Sequence, residues 1–349
     1  MNDYRSLAVK YRPQTFADVT EQTVTVKILE KVIENKSFKN VYLFSGKTGA
    51  GKTTCARIFA KAINQGIGDP IELDCASNNG VDDVRNIIEA ANQRALTGEY
   101  KIFILDECHA ITTAGWQAFL KGIEETPKYT IFIFCTTEPN KIPATVLNRM
   151  QRYNFSNISV VGIRDRLKYI CQQEGFVNYE DTCDLIAKIS QGSMRDAITS
   201  LEQCADLSKD LSLENTKELL GDFSYEMMMR LTNFLIDKNE IEMIKFIENM
   251  YNSGRDLKTF VSTYLSFILD LIKYILFKDI NLTTIPAYLE NTQEQEINIK
   301  YTTGSGEEKE SLAFFNRLAD LLLEIKTAIR NDPAYKSTII VMLSRVTRC

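Results

Sequence analysis

Gly46-Lys47-Thr48-Gly49-Ala50-Gly51-Lys52-Thr53-Thr54 follows the apolar run Val41-Tyr42-Leu43-Phe44-Ser45 and precedes Cys55-Ala56-Arg57-Ile58-Phe59-Ala60. The order is that of a buried strand, a glycine-rich turn and a helix, and it fits the phosphate-binding pattern G-x-x-x-x-G-K-[ST]. Small residues let successive backbone N–H groups converge on an anion, and the positive end of the following helix adds to that field. In this pattern the Lys52 ammonium sits on the β- and γ-phosphates and the Thr53 hydroxyl on Mg²⁺. The alternative is an ordinary glycine turn. The strand-to-helix context and an acidic strand downstream argue against it.

The 349 residues, 44% of them hydrophobic, suffice for two or three domains with real cores. No signal peptide and no apolar run long enough for a bilayer is evident, so the expected location is the cytoplasm, with no membrane partner. The cysteines at 55, 75, 108, 135, 171, 183, 204 and 349 show no C-x-x-C spacing, which argues for buried, reduced thiols over a metal ribbon or disulfide framework. A net charge of −5 gives no global reason to bind nucleic acid. Any such contact must come from a locally basic surface or backbone amides.

Residues 7–22 lack helical or strand period and read as a packed loop or N-terminal arm. A helix is expected near 24–35 from Val24, Ile28, Leu29, Val32 and Ile33. Strands are expected at 41–45, 70–74, 100–106, 129–137 and 151–155, with helices near 55–64, 81–95, 113–125 and 143–149 between them. That alternation predicts a parallel five-stranded sheet covered on both faces. The strand Tyr100-Lys101-Ile102-Phe103-Ile104-Leu105 delivers Asp106 and Glu107 at its C-terminal end, where such sheets place ligand chemistry. Asp106 suits Mg²⁺ through water, and Glu107 suits polarising the water that attacks a γ-phosphate. His109 is the only histidine, which excludes a cluster of histidine metal ligands. It reads as a local structural residue. Beyond Gly162 the pattern is helical, with segments near 163–174, 180–190, 194–206 and 213–220. Gly221-Asp222 reads as a hinge into longer helices near 224–236, 239–252, 255–278, 311–331 and 334–348. The polar stretch 281–310 reads as a long loop or insertion.

These motifs together resemble the gamma/tau subunits of bacterial DNA polymerase III clamp loaders, which are AAA+ ATPases. The resemblance is dense from residue 7 to about 221. Lys10-Tyr11-Arg12-Pro13-Gln14-Thr15-Phe16-Ala17-Asp18-Val19 is similar to that family's N-terminal box, which wraps the adenine and implies that role for Arg12, Pro13 and Val19. Asp106 to His109 matches the Asp-Glu-x-His form. Thr136-Thr137-Glu138-Pro139 with Lys141-Ile142-Pro143 matches the strand called sensor 1, which implies a γ-phosphate or water contact for Thr137. Gly192-Ser193-Met194-Arg195 matches sensor 2, where Arg195 reaches back to the nucleotide with the fork of donors a guanidinium offers. Asn148-Arg149-Met150 stands for the family's Ser-Arg-Cys, which makes Arg149 an arginine finger for the neighbouring subunit.

The sequence departs from that pattern in three places. Glu21 stands where the family usually has glycine. Only Asn64-Gln65-Gly66-Ile67-Gly68-Asp69 occupies the place of the usual four-cysteine module, so no zinc is expected. The sequence ends where tau continues, like the shorter gamma form, and a compact zinc-free version fits a phage or other mobile replicon acting in host cytoplasm.

The resemblance implies an AAA+ nucleotide-binding domain over 1–160, a helical lid over 161–221 and an all-helical collar over 222–349. ATP and Mg²⁺ are the implied ligands. Copies of the chain, delta- and delta-prime-like subunits in a hetero-pentamer, a sliding clamp and primer–template DNA are the implied partners. DNA is then held through phosphates, with Asn78, Asn79 and Gly80 at a helix start as candidates. Two other readings remain: a clamp-loader subunit that binds nucleotide without hydrolysing it, and a different AAA+ DNA remodeller such as a branch-migration motor.

Overall fold

The computed structural model describes residues 6–220, 225–277 and 307–348. Two compact units divide the chain, residues 1–215 and 216–349.

The first unit is built on β1 (Val41–Gly46), β2 (Ile71–Asp74), β3 (Lys101–Asp106), β4 (Thr130–Thr136) and β5 (Gln151–Phe155). They form one parallel sheet in the order β2-β3-β4-β1-β5, as the alternating sequence predicts. Its register sets Leu43 beside both Phe134 and Arg152. Because side chains alternate across a strand, the two faces sort cleanly. Leu43, Phe103, Phe132 and Phe134 enter one core with Val84, Trp116 and Phe119. Tyr42, Phe44, Ile104 and Ile133 enter the other with Leu29 and Phe59.

The helices of this unit are α1 (Leu7–Lys10), α2 (Thr23–Glu34), α3 (Lys52–Ile63), α4 (Val81–Ala91), α5 (Thr113–Glu124), α6 (Ala144–Leu147), α7 (Val160–Glu174), α8 (Glu180–Ile189) and α9 (Met194–Leu207), and the division between the units falls within α10 (Leu213–Leu220). Several of their starts carry the capping residues that helix N-termini favour. Thr112 accepts from Gly115 N at 3.1 Å, Ser159 from Gly162 N at 3.0 Å and Ser193 from Asp196 N at 3.3 Å. The arm at 7–22 is more ordered than its sequence suggests. It contains α1 and a 3-10 turn at Phe16–Asp18, and the Leu7 amide donates to Glu202 on α9 at 3.0 Å.

The second unit comprises α11 (Tyr225–Ile236), α12 (Glu240–Asn252), α13 (Leu257–Phe277), α14 (Glu307–Ala328) and α15 (Tyr335–Arg348). Helix α14 begins at Glu307, four residues inside the stretch expected to be a loop; the rest of that stretch, together with the Gly221-Asp222 hinge, lies outside the described residues. By length and composition α13 is apolar enough to cross a membrane, with mean hydropathy 1.6, contrary to the reading that no such run exists. Here it is the central helix of its unit: Phe260, Tyr264, Ile268 and Leu271 are buried against Phe315, Leu318 and Leu322 of α14. Its Asp270 is buried and ion-paired with Lys273 at 2.8 Å.

Candidate functional site

The strands converge on one place because a parallel sheet aligns all its C-terminal ends. Beta1 runs into the glycine-rich loop, β3 into Asp106 and Glu107, and β4 into Thr136 and Thr137. The loop, Asp106 and Glu107 border a cleft of about 370 Å³ whose walls also come from the arm, α7 and α9, while Thr136 and Thr137 do not line it and Thr137 reaches it only through Glu107. Thr48, Gly49, Ala50, Gly51, Lys52, Thr53 and Thr54 line its floor, Arg12, Pro13 and Val19 one side, and Arg195 the lid side.

The loop's glycines are required by its path. Gly51 caps α3 at φ 94°, a left-handed conformation that costs an L-residue about 1–2 kcal/mol. At Gly46 a Cβ would stand 2.4 Å from the Phe155 carbonyl oxygen. Gly46 and Lys47 do not line the cleft; their carbonyls accept from Lys52 Nζ at 2.9 and 3.0 Å. Burial lowers the Lys52 pKa, and the carboxylates of Glu107 and Asp106 oppose that shift through their charge. A buried ammonium held on two carbonyls is a cation that an anionic phosphate satisfies better.

Thr53 Oγ1 donates to Asp106 Oδ2 at 2.8 Å, and Asp106 Oδ1 accepts from the Glu107 amide at 3.0 Å. Hydroxyl and carboxylate oxygens at the loop's helix start are the hard donor set Mg²⁺ prefers, so these residues fit that ion. Glu107 lies in the cleft wall with a left-handed backbone, φ 47° and ψ 41°. Its Oε2 accepts from Thr137 Oγ1 at 3.4 Å.

Arg149 is not in this cleft. It borders a separate hollow with Lys39, Asn40, Val41 and Gln151, pairs with Glu124 at 2.5 Å and donates to Thr145 O at 2.6 Å. That hollow is at the start of β1 and the phosphate loop at its end; six residues separate them by about 20 Å at roughly 3.3 Å per residue. Asn78, Asn79 and Gly80 precede α4, whose first turn holds Asp82 and Asp83. The Gly80 amide donates to Asp83 Oδ2 at 3.0 Å, and Asn79 O accepts from Thr112 Oγ1 at 3.2 Å.

Two protein-family models match the chain. Residues 69–159 match DNA polymerase III, delta subunit, and residues 162–209 match the DNA polymerase III clamp loader subunit, ATPase lid domain. The DNA polymerase III subunit tau of Bacillus subtilis is 34% identical over 293 residues, covering 78% of this chain and 52% of that protein. The gamma/tau subunit of Mycoplasma genitalium is 32% identical over 296 residues, covering 78% of this chain and 50% of its own. Over these residues the chain is similar to the DNA polymerase III clamp-loader gamma/tau subunits. It spans about half the length of the curated relatives it matches. Among solved structures, the Thermotoga maritima RuvB Holliday junction branch migration motor aligns at TM-score 0.52 and 17% identity over 64% of this chain and 79% of its own, which speaks for the AAA+ fold.

Several residues of this gamma/tau-type cleft carry no sequence signal. Arg166 of α7 lines it, donates to Tyr11 O at 2.9 Å and lies over the Tyr169 ring. Tyr11 in turn donates to Glu174, at the far end of α7. A lone arginine on an amphipathic helix reads as solvated, and only the arm's path across α7 brings it to the nucleotide side.

Proposed function

We propose that the chain is the ATP-hydrolysing motor subunit of a replication clamp loader, opening a sliding clamp and placing it on primer–template DNA. The observation that carries this reading is the junction of Thr53 with Asp106 beside Glu107 in a cleft also lined by Lys52 and Arg195. ATP enters with its base against Arg12, Pro13 and Val19 and its phosphates on the amides of Gly49 to Thr54, where Lys52 exchanges the carbonyls of Gly46 and Lys47 for phosphate oxygens. Thr53 and Asp106 would hold Mg²⁺, which would supply positive charge to offset the phosphate oxygens. Glu107 accepts the proton of the attacking water, and Thr137 orients that water or the γ-phosphate. Arg195 brings the lid onto the nucleotide, so lid position reports what the cleft holds.

Arg149 serves the neighbouring subunit's site. The length of β1 keeps it from its own phosphate loop, which supports a role in trans. Further copies and delta- and delta-prime-like subunits then complete the ring, and DNA is gripped through its phosphates, with the turn at Asn78 to Gly80 facing it.

Lys52→Ala should weaken ATP binding about 100-fold, the loss expected from charge-assisted bonds to phosphate. Unchanged nucleotide affinity in a fluorescence titration would contradict the phosphate-loop assignment. Arg149→Ala should leave ATP affinity intact while turnover of the assembled complex falls about 10³-fold. Mixing it with Lys52→Ala subunits distinguishes cis from trans, because a trans finger leaves activity only at interfaces that pair a sound cleft with a sound Arg149.

A further inference from the structure

Glu107 has a backbone that does not hold its carboxylate by itself. It occupies a left-handed conformation at the edge of a cleft, and its side chain is 39% exposed. A base so placed samples several rotamers unless neighbours fix one. Two groups converge on a single oxygen: Thr137 Oγ1 donates to Oε2 at 3.4 Å, and His109 Nδ1, hydrogen-bonded to Thr136 Oγ1, lies 3.3 Å from the same Oε2. Among the described residues Oε1 has no hydrogen-bond partner.

The His109 ring is itself held. Cys108, fully buried, anchors the 3-10 turn Cys108–Ala110 that carries it, and the ring is only 19% exposed. Its Nδ1 lies 3.2 Å from Thr136 Oγ1 at the end of β4. Its Nε2 lies 3.6 Å from Glu138 Oε1, which Lys141 also engages at 2.9 Å. The imidazole therefore bridges the acidic end of β3 to the end of β4. Because a carboxylate only accepts, Nδ1 serves Glu107 in the tautomer that carries its proton there.

We infer that His109 is a positioning residue for Glu107: its Nδ1–H and the Thr137 hydroxyl pin Oε2, and Oε1 is left to take the proton of the attacking water. The assignment rests on the proposed ATP hydrolysis. It gives the only histidine of the chain a task beyond local packing and ties the base to sensor 1 through one ring.

The test compares amides that mimic each ring nitrogen, since the Asn amide nitrogen falls near Nδ1 and that of Gln near Nε2. In the full chain assembled with its partner subunits, His109→Ala should lower kcat about tenfold or more, the scale of a misplaced base, with ATP affinity within about twofold of wild type. His109→Asn should recover most of kcat and His109→Gln should not. Equal activity of the Asn and Gln variants, or a loss in ATP affinity in place of kcat, overturns the assignment. Both amides retain a polar group of similar size, so this comparison stands even where the Ala variant folds poorly, as melting curves of all three would show. Glu107→Gln separates the two levels. If it hydrolyses ATP at the wild-type rate, the proposed function itself fails; if it is inactive while His109→Ala is fully active, only the positioning role fails.

Discussion

At Gly46 a methyl group meets backbone. A Cβ at this position would sit 2.4 Å from the Phe155 carbonyl oxygen and 2.9 Å from the Phe155 Cβ, and neither can turn away. At Gly51, further along the same loop, a Cβ meets nothing within 4 Å and the only penalty is the positive φ. Gly51→Ala should therefore cost about 1–2 kcal/mol of stability, whereas Gly46→Ala should cost about 3 kcal/mol or more from combined strain and overpacking. Urea unfolding of both variants checks this, and equal losses would contradict it. Glu21 obeys the same rule from the other side. It holds φ 60° where the gamma/tau pattern has glycine, and its carboxylate is used by the Ser159 amide at 2.8 Å and by the Ser159 hydroxyl. Those bonds at the start of α7 offset the left-handed strain that a glycine avoids.

Among the elements, the arm and α7 form the junction least visible in sequence. Lys10 Nζ lies 2.6 Å from Glu174 Oε1, Tyr11 donates to the same carboxylate, and Arg166 donates to Tyr11 O. The hydrogen bonds from Lys10 and Tyr11 hold the Glu174 pKa below its ordinary value, so the fold favours the ionised form. Such a group adds stability above its unfolded pKa of about 4.3 and loses it as pH falls through the lower folded value. Melting temperatures of wild type and Glu174→Gln should therefore differ near pH 7 and converge as the pH falls below about 4; a constant gap would show that the contact is not ionic.

The strands and most helices were legible because buried faces impose periods of 2 and 3.6 on the chain. Beta4 is one case, with Phe132 and Phe134 on one face and Ile131 and Ile133 on the other. Alpha1 was not, since four residues hold too little period, and α4 ends at Ala91 instead of near 95. In the cleft, the phosphate loop and Asp106–Glu107 are local motifs and were readable. The contacts of Arg166 and His109 depend on partners far along the chain or across the sheet edge, where no spacing rule reaches.

For the molecule as a whole, each unit has its own apolar core, one around the covered sheet and one around α13. The hollow that Arg149 borders lies at the start of β1 and the phosphate loop at its end. On the function proposed above, one end would offer the nucleotide and the other the guanidinium, so a single copy would hold half a site at each and turnover would belong to the assembly. In such a device the ligands of the assembly must couple to hydrolysis, because each stabilises the arrangement that aligns Arg149 with the neighbour's Glu107. The most direct test is ATP turnover by the chain assembled with its partner subunits, with and without the cognate clamp and primed DNA. The account predicts weak turnover alone and strong stimulation only when clamp and primed DNA are both present. Turnover that ignores the clamp yet responds to branched or forked DNA would contradict clamp loading.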